Sequence, residues 1–261
     1  MTTYRPKFWP KIFSGVGVAA LLTAAACSKS GEAGEQAPAG APDTAAAVGE
    51  AGETASGEGG VGEAGATEAY ASIPPASRTA LRIAHLRGFF LIAAEAQKAE
   101  GNDEAAALAG QGMLEVFDPA ADNFRQAGIN EAKLRDAATK GDAASLQAAI
   151  FELDAARKRV GGDPAAVING MTGMAAGMYG HVVADGAIDP VEYQHSRGAA
   201  LSALGELQHF GAGNAKVQAV KADLDRFIAL WPAPVAPEDI TKVVPAGDVQ
   251  AQASRIQLAL S

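Results

Sequence analysis

One cysteine, Cys27, stands among the 261 residues, so no disulfide can form within a single chain and the fold must rest on its core alone. Basic residues are scarce as well: Lys and Arg number 21 against 30 Asp and Glu, a net charge of −9. Nucleic acid and anionic lipid surfaces both require a basic footprint, so this balance argues against either as a partner. No period-two run rich in Val, Ile and Thr is punctuated by hairpin turns, which removes the signature of a sheet. Catalytic signatures are missing too. The chain has no G-x-S-x-G elbow, no H-E-x-x-H, no phosphate-cradling G-x-x-x-x-G-K-[ST] and no C-x-x-C-H. The expectation is a non-enzymatic protein.

What is present begins with a leader. Arg5, Lys7 and Lys11 precede an apolar run from Ile12 to Ala26 that closes on small residues, the pattern of a secretion signal over 1–26. That run falls short of the roughly 20 apolar residues a spanning helix needs. Loss of the three basic residues with the leader takes the net charge from −9 to −12. Small side chains directly before Cys27 resemble the lipobox of bacterial lipoproteins, although Ala24 stands where that family usually has Leu. The resemblance implies that Cys27 is the lipidation site and the membrane anchor. Ala24-Ala25-Ala26 equally fits an ordinary A-x-A cleavage site, which would leave a free thiol. Ser28, in place of the Asp that retains enteric lipoproteins at the inner membrane, implies an outer-membrane location facing the periplasm.

From Cys27 to Ser72 the chain is almost wholly Gly, Ala, Glu, Pro, Thr and Ser, with Lys29 the only base. Such a composition cannot bury enough apolar area to offset its conformational entropy, so 27–72 is expected to be a disordered acidic tether. Helical periodicity takes over in 73–261, predicting an all-α bundle of about seven helices. The expected spans are Ser77 to Glu100, Asp103 to Phe117, Asn130 to Lys140, Asp142 to Gly161, Asp163 to Asp185, Asp189 to Gly211, and Asn214 to Trp231. Asp163-Pro164 and Asp189-Pro190 each read as an N-cap followed by Pro in the first turn. Ala246 to Leu260 is weakly helical and is expected either to dock or to fray.

The fifth predicted helix is the most informative. Gly170, Gly173, Gly177 and Gly180 fall along one side, and their cost of ~1 kcal/mol each relative to Ala suggests that a neighbouring helix approaches there. Met171, Met174, Met178, His181 and Asp185 form a second stripe. Thioethers with an imidazole suit soft metals such as Cu(I), yet Met is also a common core filler, and core packing is the stronger expectation. His85 stands alone on the apolar stripe of the first helix, where a packed, hydrogen-bonded role is commonest. Together with Met174, Met178, His181 and Asp185 it makes the candidate ligand set for iron, copper or haem. Glu192-x-x-His195 and Glu206-x-x-His209 match the di-iron motif but lie on one helix, so both are expected on a solvated flank.

Residues 179–193, with their Asp185-Gly186 turn before Glu192-Tyr193, resemble the periplasmic helical domain attached to some bacterial high-affinity iron permeases. The function expected from all this is a membrane-anchored envelope lipoprotein that presents a non-enzymatic helical binding or interaction domain, with another envelope protein as a candidate partner and a metal- or haem-binding module as the alternative.

Overall fold

The computed structural model describes residues 63–211 and 216–261. Cys27, the leader and most of the acidic stretch lie outside them. The described chain is helical apart from one two-stranded hairpin, in line with the all-α expectation.

Helix α2 (Arg78–Ala99) is the axis of the fold. It buries Leu81, Ile83, Leu86, Phe90 and Ile92 on different sides, and a helix apolar all round belongs in an interior. Two apolar clusters share it. On one side Ile83, Leu86 and Phe90 pack with α3 (Asn102–Gly112), α4 (Ala121–Gln126), α5 (Glu131–Lys140) and α6 (Ala143–Val160). On the other, Leu81 and Ala84 join α1 (Glu63–Ser72), α7 (Pro164–Tyr179), α8 (Pro190–Gly205), α9 (Lys216–Ile228) and α10 (Ala246–Leu260).

The helix starts follow local chemistry. Asp142 Oδ1 accepts from the amides of Ala144 and Ser145, at 3.0 and 2.9 Å, and Gly141 before it is left-handed at φ 59°. Asp163 and Asp189 cap α7 and α8 in the same way, each with Pro in the first turn. At the crossing of α2 and α8, Gly88 and Gly198 put backbone against backbone: a Cβ on Gly88 would stand 2.8 Å from the Gly198 carbonyl oxygen.

Several expectations are corrected. The tether boundary at Ser72 lies too far along, because 63–72 forms α1, whose Ala66 and Ala69 are buried in the same cluster as Met171 and Met174 of α7. An alanine-rich stretch reads as low complexity alone, yet small side chains suit a close-packed helix. The fifth helix stops at Tyr179 and not at Asp185. Beyond it, β1 (Val183–Ala184) pairs antiparallel with β2 (Ala187–Ile188) around Asp185-Gly186, both at positive φ. An Asp-Gly pair in that conformation is a two-residue hairpin turn, whose twist suits the paired strands. The second helix ends at Gly112 and continues as a π-turn over Met113–Phe117. α4 was not foreseen. α10 docks through Val249, Ala253, Ile256 and Leu260.

Candidate functional site

Helix α7 carries its glycines to two different surroundings. A Cβ on Gly170 would meet Leu81 of α2 at 2.9 Å, whereas one on Gly173 would meet nothing within 4 Å. The expected helix-to-helix approach along the whole glycine row is therefore realised at Gly170 and absent at Gly173. Instead, Gly170, Gly173 and Gly177 floor a groove of about 280 Å³. α1 supplies one wall with Glu68, Ala69 and Ser72, and α10 the other with Gln250 and Gln257. Removing side chains from one helix face opens this space, because α1 and α10 stand on the shoulders of the row.

The groove's chemistry is amide and carboxylate. Asn169 also lines it, with Oδ1 buried and taking no hydrogen bond from the described residues. The Ser72 hydroxyl is already turned back to the Ala69 carbonyl at 3.0 Å. No Lys or Arg is among the described lining residues, and Glu68 gives the groove a negative cast. Its amides can both donate and accept hydrogen bonds, while its one charged described lining residue is a carboxylate.

Helix α1 also connects the groove to a buried polar line. The Tyr70 hydroxyl, on α1, shares a hydrogen bond of 2.8 Å with Nδ1 of His85. Arg82 stacks over the Tyr70 ring, 5.1 Å from its centre. His85 leans on Phe89 (5.4 Å between ring centres), and Phe89 meets His195 edge-on at 4.5 Å. His195 Nε2 then lies 3.2 Å from Gln111 Oε1. Burial, reinforced by His195, pushes His85 down to about 3. Burial likewise pushes His195 down to about 4, against the pull of Asp189. Both imidazoles are neutral at pH 7. Burial also raises the Tyr70 phenol well above its ordinary range.

The predicted ligand residues fall in different surroundings. Met174 and Met178 are buried in the α7 core cluster beside Tyr179 and Val182. His181 falls in the turn after α7, partly buried, and Asp185 is exposed at the hairpin tip. The partners of His85 are Tyr70 and Phe89. Among the described residues no three His, Cys, Asp or Glu side chains converge as metal ligands.

The solvated flank expected for α8 is also corrected. His195 is 9% exposed and Glu206 2% exposed. α8 lies between α7 and α2, so both of its faces are covered and its polar residues find internal partners. Glu206 holds Arg157 in an ion pair whose two side chains are each 2% exposed, with Arg157 Nη2 2.7 Å from Oε2. Arg197 forks onto Glu95 at 2.6 and 2.9 Å, and the Ser202 hydroxyl donates to the Ala84 carbonyl at 2.6 Å. Sequence reading missed the groove itself. Its signal was the glycine row, read for helix packing and not for space.

Among the described residues no helix is long and apolar enough to cross a membrane. Compared with known proteins, the chain matches no family model, and no curated protein or solved structure is significantly similar to it.

Proposed function

We propose that the chain is a lipid-anchored protein of the cell envelope, held through Cys27 and a disordered acidic tether, whose helical domain is a non-enzymatic binding module with the α1–α7–α10 groove as its ligand site. The observation that carries this reading is the open space over Gly173, where a helix spends its side chains without gaining a packing partner. Glycine in a helix interior costs ~1 kcal/mol relative to Ala, and an empty, polar-walled groove is what the fold has in return. Glu68 and Asn169 Oδ1 both accept hydrogen bonds, and none of the described lining residues is basic. The ligand is then small, polar and rich in N–H or O–H donors, neutral or positively charged: an amine or a polyol. The protein as a whole carries the charge to attract such a cation and repel an anion.

Amide chemical shifts of the anchor-free protein, titrated with putrescine, glycerol and inorganic phosphate as separate probes, test the reading. The expected result is that putrescine or glycerol moves Gly170, Gly173 and Gly177 together, that phosphate does not, and that Gly173→Leu, which fills the groove, removes the effect. Shifts scattered over the surface, or a response to phosphate alone, would sink it.

A further inference from the structure

We infer that α1 is a detachable wall of the groove, held shut by Tyr70 on His85 and separable from the rest of the domain without unfolding it. The inference rests on the groove being the ligand site, since its consequence is that access to the groove is set by whether α1 is docked. Four observations carry it.

First, α1 is held by little apolar surface. Over 66–72, where side chains are described, Ala66 and Ala69 are buried and Tyr70 is half-buried against the same cluster, with Ile73 just beyond the helix end. Apolar burial stabilises in proportion to area, and an alanine methyl contributes far less than the leucines and phenylalanines that hold α2. Second, the floor beneath leaves a gap at Gly173, which has nothing within 4 Å where a side chain would stand. Third, α1 has one large side chain, Tyr70, and that residue makes a single directed attachment: its hydroxyl on His85 and its ring beneath Arg82. Breaking this one exposes His85, which is otherwise buried. Fourth, the helix is interrupted between α1 and α2. Pro74 is extended at φ −55° and ψ 139°, and Pro75 follows it into a single 3-10 turn, so α1 and α2 are separate helices and no continuous helix ties α1 down.

Such a unit opens locally. Regions with few buried apolar contacts exchange their amides through sub-global openings, at free energies well below that of the whole domain. Opening of α1 removes Glu68, Ala69 and Ser72 from the groove and leaves the floor of α7 and the wall of α10 in place. Anything that engages the chain upstream of Glu63 would act on α1 directly, because that segment leads straight into it.

Hydrogen exchange read by mass spectrometry on the full mature chain at pH 7 decides the matter. The expected result is that peptides covering 63–72 are protected at least about 100-fold less than those covering 164–179. Tyr70→Phe, which keeps the ring and removes the hydroxyl, is expected to lower protection of 63–72 by a further factor of about 5 to 10, with 164–179 unchanged. Equal protection of the two segments in the parent would show α1 to be an integral part of the core and overturn the inference. So would a Tyr70→Phe variant in which both segments lose protection alike, or in which 63–72 does not respond. These readings need no ligand. A groove that fails to bind putrescine or glycerol while the exchange pattern holds would overturn the binding reading and leave a detachable helix of other purpose.

Discussion

His85 and His195 are buried and held neutral mainly by that burial, which links them through protons to stability. In the native state they lie near 3 and 4, against 6.5 for an imidazole in water. The unfolded chain therefore binds more protons than the native one as soon as pH drops below about 6.5, and stability falls with it. Above that pH their contribution is complete, and it is lost progressively as pH descends toward the native values. At pH 5 the loss is about 2 kcal/mol for each imidazole. Urea unfolding at pH 7 and pH 5 is expected to show this loss, and His85→Gln, which keeps a polar partner for Tyr70, is expected to shed the share that His85 contributes. The variant comparison separates His85 from Glu206, whose carboxyl is raised by burial and works in the opposite sense. Stability identical at the two pH values in the parent would show that these rings are not held neutral by the fold. The burial of His85 was legible in the sequence because its neighbours Leu81 and Phe89 share its stripe. That of His195 was not, since the helix covering its other face comes from over 100 residues away.

Helices cross where their surfaces allow, and the two kinds of helical glycine in this fold have opposite consequences. Gly88 of α2 and Gly198 of α8 touch through backbone, where nothing flexible can yield. Gly88→Ala is expected to force the two helices apart and destabilise by about 3 kcal/mol or more. Gly173 on α7 has open space, so Gly173→Ala meets no obstacle and recovers helix propensity, for an expected gain of about 0.5–1 kcal/mol. Thermal unfolding of the two variants beside the parent checks both signs; destabilisation by Gly173→Ala would mean that α1 or α10 sits closer to α7 than the groove implies. The same contrast marks what local sequence can express. Asp142, Asp163 and Asp189 announced their helices because a cap acts within three residues. The Asp185-Gly186 hairpin carries an equally local turn signal, but its strands are two residues each, too short for alternation to show. Which glycine meets a backbone and which meets space depends on α2, α8 and α1 together, and no window of one helix contains that.

At the scale of the molecule, the boundary between tether and domain is where composition and structure part. Composition alone places it at Ser72, since 63–72 continues the run of Gly, Ala and Glu, whereas the structure docks 63–72 on α7. The proposed architecture then makes a graded prediction for proteolysis. The acidic segment before Glu63 has no composition that could protect it and is expected to be cut first by a broad protease. A helix that opens locally is cut next, with a lag, because cleavage of an opened segment follows the population of its open form. Limited digestion followed by intact mass is therefore expected to give an early product beginning near Glu63 and a later one beginning near Ile73, with nothing intermediate inside α2. Tyr70→Phe should shorten the interval between the two products and leave the first unchanged. Cys27→Ser, tested by detergent partitioning, should move the protein to the aqueous phase without altering either cleavage, because the anchor acts through the membrane and α1 through the groove. Equal partitioning of Cys27→Ser and the parent would remove the lipid anchor from the proposal. A single product beginning at Ile73, with no stage at Glu63, would mean that α1 is open as often as the tether is exposed and that it walls no groove at all.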